Sequence, residues 1–383
     1  MSMERIDQIN PERLLWSVDD RGLSLPEVAH KAGIALSTLE KVIAGEIGLT
    51  FKQLKSLADS VGRGVLFFLE TGPVNEDKVH SPQFRTLANQ KPDLSGEVKG
   101  IIERISRVRD VYLDLMDEEE SRPKFKPPAI KGHSPERAAT VALRWLGIDP
   151  NSPQTFDSYR SAVEACGVFV FLSSGYAGQW KFPKNSDIAG FCLYFPDCPV
   201  IAIRKQVSPA RQLFTLIHEL GHLLLHRASV IDDETDFYAY QGQEREANAF
   251  AGHLLVPSLV LAKIDDAMRP KDPAEYGAWL DVHTRQLGIS TEVILRRLLD
   301  DKRLKRKDYE AYRQFISKLT IPTAKGASRW RDREPVHLFG DQYVRSVLGA
   351  VEAKQISLSK ASGYLDNIKI PDVHKLEKHL ARV

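Results

Sequence analysis

The sequence predicts a multidomain, mainly helical chain with an all-α N-terminal domain, an α+β core in the middle and a helical C-terminal region. Three observations lead there. Residues 11–70 carry short amphipathic patterns with capping residues at their starts. Between 134 and 300, runs rich in β-branched and aromatic residues alternate with long helical patterns. Beyond 300 only helical periodicity returns, and 383 residues leave room for more than one core.

In chain order, Pro11 opens a first helix, Ser24 can cap a second, Gly33 marks a tight turn, and a third helix ends before Gly45. Thr50 then caps a helix with Leu54, Leu57, Ala58 and Val61 at helical spacing. A charged amphipathic helix is expected from Leu94 to about Met116. Residues 117–135 hold four prolines and three consecutive glutamates without periodicity, and read as a linker. Ser134-Pro135 starts a helix to about Leu146, and strands are expected at 167–172, 188–195 and 200–203. Long helices follow at 208–226 and 243–255, the second stopped by Pro257. The domains predicted are 9–72, a connector and linker at 73–133, the core at 134–300 and a C-terminal region at 301–383.

Bulk composition narrows the function classes. With 43% hydrophobic and 27% charged residues the chain is of ordinary globular type, and a net charge of +2 announces neither nucleic acid nor membrane. Cys166, Cys192 and Cys198 form no CxxC pair, which suits a reducing compartment. The first ten residues mix charges without an apolar run, and no long apolar stretch exists, so a cytoplasmic protein with no membrane partner is expected.

The chemistry concentrates at His218-Glu-Leu-Gly-His222, an HExxH segment. One helical turn separates the two histidines, so both imidazoles leave one face and can share a zinc ion at about 2.1 Å. Glu219 is then placed to take a proton from water activated by the ion. Leu216, Ile217, Leu220 and Leu223–Leu225 surround the motif, and polar groups in so apolar a helix need a partner such as a metal. His226 stands about 12 Å along the axis from His218, too far to share one ion, and reads as a helix-end packing residue. The third ligand has to come from another element. In the helix at 243–255, Glu244 and Asn248 share one face, so Glu244 is predicted as that ligand, with Asn248 bonding a ligand histidine from behind. Glu246 points about 160° away and is the weaker choice. Tyr238, Tyr240 and His253 are candidates for stabilising the oxyanion.

The run Ile188-Ala-Gly-Phe-Cys-Leu-Tyr, Pro199-Val-Ile-Ala-Ile, Phe214-Thr-Leu-Ile-His-Glu-Leu-Gly-His, Glu244-x-x-Ala-Asn-x-Phe-Ala and Leu-Leu-Val-Pro257 resembles the ImmA/IrrE family of metallopeptidases over roughly residues 134–300. The resemblance implies a zincin-like (gluzincin) core, a zinc cofactor with manganese the lesser alternative, and cleavage of a partner repressor. Gln286–Leu299 resembles the small helix-turn-helix-like element that packs on this core. Members often carry Asn where Arg204 stands, a departure that bears on the substrate groove. The strand ending near Ile203 is expected to be the edge that binds substrate in extended form.

Residues 11–70 resemble the Xre/Cro-type helix-turn-helix fold, through Gly22-Leu-Ser-Leu-Pro-Glu-Val-Ala, Gly33-Ile, Ser37-Thr-Leu-Glu-Lys and Thr50-Phe-x-x-Leu-x-x-Leu. The resemblance makes 36–44 the recognition helix, with Ser37, Thr38 and Lys41 as DNA contacts. Residues 1–72 nevertheless hold 8 Lys/Arg against 10 Asp/Glu, a poor field for phosphate, so protein docking stays open as the alternative. Residues 302–333 hold 11 Lys/Arg against 3 Asp/Glu and read either as a solvated linker or as a second DNA contact. The expected protein is a metalloendopeptidase-type transcriptional regulator. Its rival is a non-catalytic regulator or antitoxin with a toxin as partner, since Xre-fused relatives occur beside toxin genes.

Overall fold

The computed structural model describes residues 4–91, 93–116, 124–149, 155–175, 178–206, 208–239, 241–319 and 331–381. The chain divides into two compact units, Met1–Ser106 and Arg107–Val383. It is mostly helical with one small mixed sheet, and among the described residues no helix is long and apolar enough to cross a membrane.

The first unit contains β1 (Arg5–Ile6), α1 (Pro11–Asp20), α2 (Leu25–Ala32), α3 (Leu36–Ile43), β2 (Leu49–Thr50), α4 (Phe51–Val61), α5 (Glu76–Val79) and α6 (Pro82–Gln90), and α7 (Gly96–Asp114) begins in it. The expected start signals operate here. Asn10 caps α1 ahead of Pro11, and Ser24 with Glu27 and Thr50 with Gln53 form reciprocal capping boxes. Leu14, Val28, Leu39, Leu54, Leu57 and Phe68 form the core. Behind it lies a buried charged network absent from the expectations. Arg63 bridges Asp20 at 2.6 Å and Glu103 at 3.2 Å, Arg21 bonds Glu103, and His80 lies 3.0 Å from Asp20 and 3.1 Å from Glu103. The first half of the expected connector therefore folds as part of this unit.

The second unit holds α8 (Pro135–Leu146), α9 (Phe156–Ala165), β3 (Phe169–Leu172), β4 (Ile188–Leu193), β5 (Val200–Ile203), α10 (Pro209–Gly221), β6 (Val230–Asp233), α11 (Gly242–Leu255), α12 (Ser258–Leu261), α13 (Tyr276–Leu287), α14 (Thr291–Asp300), α15 (Arg306–Lys318), α16 (Glu334–Glu352), α17 (Leu358–Tyr364) and α18 (Ile370–Leu380). Its sheet runs β3-β5-β4-β6, with β3 parallel to β5 and the other pairings antiparallel. β5 is thus an interior strand, which corrects the expectation that the strand ending at Ile203 is the edge. β6, which follows α10, is an edge instead, and no strand was expected there.

Alternate strand residues face opposite layers. Val170, Leu172, Cys192, Ile201 and Ile203 join Leu216, Leu220, Phe250 and Leu254 in the main core, while Phe171 and Phe169 meet Phe339 and Tyr343 of α16 on the other face. α16 is broken at Gly340, whose φ of 83° suits a residue without a side chain. Two linker readings are corrected as well. Phe125 and Ile130 are buried in the main core, because apolar side chains in a proline-rich stretch still gain by leaving water. Within 302–333, α15 packs through buried Tyr309 and Tyr312, and residues 320–330 lie outside the described ones. α14 packs on the core through Ile294, Leu295 and Leu298.

Candidate metal centre

Ser208 caps α10 ahead of Pro209, and Leu213, Leu216, Ile217 and Leu220 bury it on nearly every side. The α-helix ends at Gly221. His222–His226 form a π-turn, closed by Arg227 in the left-handed region with φ 51°, where a continuous helix to His226 was expected. His218, Glu219 and His222 are each 0% exposed.

Four side chains converge on one point: His218, His222, Glu244 and Asp232. The two Nε2 atoms stand 3.1 Å apart. Glu244 Oε2 is 3.3 Å from each, and Asp232 Oδ2 is 3.4 Å from His218 and 3.6 Å from His222. Nitrogen and oxygen ligands about 2.0–2.1 Å from a tetrahedral ion are separated by about 3.4 Å, so these spacings fit an ion. Asp232 Oδ2 and Glu244 Oε2 are buried without hydrogen-bond partners, as the oxygen donors of a metal site would be. Burial works to lower the His218 pKa, but Asp232 and Glu244 outweigh it and raise it to about 9. Burial likewise favours a neutral Glu244, yet its contacts with both histidines hold it well below the usual carboxylate range.

Glu219 lies beside this cluster. Burial and the neighbouring Asp232 and Glu244 carboxylates push its pKa far up. Its room comes from Gly190 on β4, where a Cβ would stand 2.7 Å from Glu219 Oε1 and 2.9 Å from Thr215 Cγ2.

The sequence missed Asp232. The available signal was an aspartate inside the apolar run Ser229-Val-Ile-Asp, in a segment too short to declare itself a strand. Glu244 faces the cluster and Glu246 does not. Glu246 Oε2 instead bonds His226 Nε2 at 3.1 Å, and His226 Nδ1 lies 3.1 Å from His222 Nδ1. His226 is therefore more than packing, because it holds the far nitrogen of His222 and turns Nε2 inward. The expected bond from Asn248 to a histidine is corrected. Its amide nitrogen donates to Asp236 O at 3.0 Å, pinning the turn whose Phe237 ring packs edge-on against His218 at 4.9 Å.

Of the oxyanion candidates, Tyr238 lies under the Arg313 guanidinium at 3.3 Å, and burial beside Arg297 lowers His253 to about 4. Tyr240 lies outside the described residues. Arg204 donates to the carbonyls of Ser186, Ile188 and Pro183, tying down the loop before β4. In the first unit Ser37 and Lys41 are exposed and Thr38 half-buried on α3, opposite buried Leu39 and Val42.

No curated protein matches the chain. Residues 181–299, which carry β4, β5, α10, β6, α11 and the whole four-residue cluster, match the family model of peptidase family M78, the IrrE N-terminal-like domain, a metallopeptidase-like family.

Proposed function

We propose that this chain is a zinc-dependent metalloendopeptidase-type transcriptional regulator of the cytoplasm, cutting a partner repressor or regulatory protein. The observation that carries the reading is the convergence of His218, His222 and Glu244 beside a buried Glu219. These three residues would hold the ion. Zinc bound there would acidify water and polarise a peptide carbonyl. With a bound cation offsetting the Asp232 and Glu244 carboxylates that push its pKa up, Glu219, the one acid on α10, would ionise, take the proton from the attacking water and pass it to the departing amine. His226 and Glu246 keep His222 oriented throughout. In the first unit, α2 and α3 act as an Xre-type helix-turn-helix, with Ser37, Thr38 and Lys41 towards DNA. With a net charge of −2 over residues 1–72 it binds weakly alone, and the 302–333 stretch adds a basic contact.

One observation favours the second reading, a non-catalytic regulator or antitoxin with a toxin partner: a fourth protein group, Asp232, sits in the cluster. Glu219→Gln separates the two. It keeps every ligand, so about one zinc per chain should remain by elemental analysis. Cleavage of the regulator encoded beside it, followed by immunoblot in cells, should fall by about 10²–10⁴-fold. Unchanged regulatory output in that strain would favour the binding reading, and wild type that stays metal-free after zinc reconstitution would end both the zinc and the protease assignments.

A further inference from the structure

We infer that Asp232 is a fourth protein ligand, so that the resting metal centre is closed and has no position left for water. The inference rests on the metal-centre reading above and concerns how that site is regulated.

The first support is geometric. Five of the six ligand-to-ligand separations are 3.1, 3.3, 3.3, 3.4 and 3.6 Å, and two of these belong to Asp232. All match the edge of about 3.4 Å expected for four light-atom ligands around one tetrahedral ion. A carboxylate that merely orients a histidine bonds the ring nitrogen facing away from the metal. Asp232 does the reverse. Its Oδ2 meets both Nε2 atoms, the same atoms that face Glu244.

The second support is the strand that delivers it. Asp232 stands directly opposite Gly190 in the β4–β6 ladder, so both face the layer that contains α10. The ladder shifts register between Ile188 and Gly190, beside the Asp232 pair. Such a bulge re-aims the side chains around it. Asp232 is 1% exposed and its Oδ2 has no hydrogen-bond partner. A buried carboxylate so placed is costly unless a cation meets it. Two carboxylates and two neutral imidazoles also balance a divalent ion, whereas three ligands leave one positive charge in a buried site.

Four protein ligands characterise structural zinc sites, and catalytic ones keep a position open. Peptide cleavage by this centre therefore requires Asp232 to withdraw first. The end of β6 is held by Asp233 N on Asp236 Oδ2 at 2.7 Å and Glu234 N on Asp187 O at 3.1 Å, so these bonds oppose the withdrawal.

The test uses the full chain loaded with Co2+ alone, whose visible bands are strong in four-coordinate and weak in higher coordination. Wild type should bind one Co2+ with strong bands that acetohydroxamate, which seeks an open position, leaves unchanged. Asp232→Ala should retain Co2+ at least about 10-fold less tightly, with bands that shift on adding acetohydroxamate. Asp232→Asn, equal in size, guards against misfolding and should also become responsive. Wild-type bands that shift as readily as those of either variant would overturn the closed centre while leaving a metalloprotein. Failure of wild type to bind Co2+ at all would overturn the metal-centre reading and this inference with it.

Discussion

Glu103 allows a worked stability prediction for the first unit. Burial alone raises its pKa, but His80, Arg21 and Arg63 outweigh this and bring it from 4.5 to about 2. A depressed carboxylate contributes stability that is fully present above its unfolded value and is lost as pH falls towards the folded one. A shift of about 2.5 units is worth about 3 kcal/mol, of which about 2 kcal/mol has gone by pH ~3. Solvent screening takes little from this, because the side chain is 9% exposed. His80 carries the opposite sign. Its contribution is present below 6.5 and lost only as pH rises through its raised folded value, so it stays constant in this acid window. The perturbation is Glu103→Gln, which keeps the shape and leaves Arg21 and Arg63 short of an anion, at a cost of about 3–5 kcal/mol near neutrality. Hydrogen exchange of α1 and α4 amides, corrected for intrinsic rates, reads the opening free energy. The gap between wild type and variant should shrink by about 2 kcal/mol between pH ~6 and ~3. A gap that stays constant across that range would refute the role given to Glu103.

Two further outcomes follow from the second unit. Zinc should leave Glu244→Ala at least about 10-fold faster than Glu246→Ala, as measured by chelator competition, because of these two glutamates only Glu244 approaches the Nε2 atoms; equal rates would mean that the ligand is misassigned. Gly190→Ala should keep its zinc but lose about 1–3 kcal/mol of stability in urea, since the added carbon meets Glu219, Thr215 and the Ala202 carbonyl at 2.7–3.1 Å; an unchanged midpoint would show that the Glu219 pocket is looser than described.

The parts of the fold legible in the sequence were those written locally. Ser24, Thr50 and Ser134 announced helix starts through side chains that bond backbone a few residues away, and the HExxH spacing sets both histidines on one helical face. What depends on the sheet was not legible. β6 is four residues long and its partner β4 lies some forty residues earlier, so nothing local marks Val230–Asp233 as a strand or Asp232 as a neighbour of His218. The misplacement of β5 at the edge has the same origin, because strand order is a long-range property and sequence order is not a guide to it. Helical spacing puts Asn248 on one face with Glu244, but which neighbour it bonds depends on the turn at 236–238. The buried charges at Arg21, Arg63 and Glu103 are not legible either, because isolated ionic residues in a sequence read as surface.

β3 is the outer strand of its sheet, and edges of that kind invite pairing with other chains. Here the outward carbonyl at its middle, Val170 O, is occupied. Arg160 donates from one guanidinium to Val170 O and to the carbonyls of His337 and Leu338, and His337 Nε2 lies 3.2 Å from Ser173 O. Phe339 and Tyr343 cover the adjoining aromatic face. The segment that finishes the sheet thus lies beyond residue 333, well outside the stretch that carries the His218, His222, Asp232 and Glu244 cluster. A fragment ending at residue 300 would expose an open strand and a bare aromatic surface, the ingredients of edge-to-edge aggregation. The stretch that matches the family model is for that reason not portable: any lineage that transplants it must carry the C-terminal helix along or find another cover for β3.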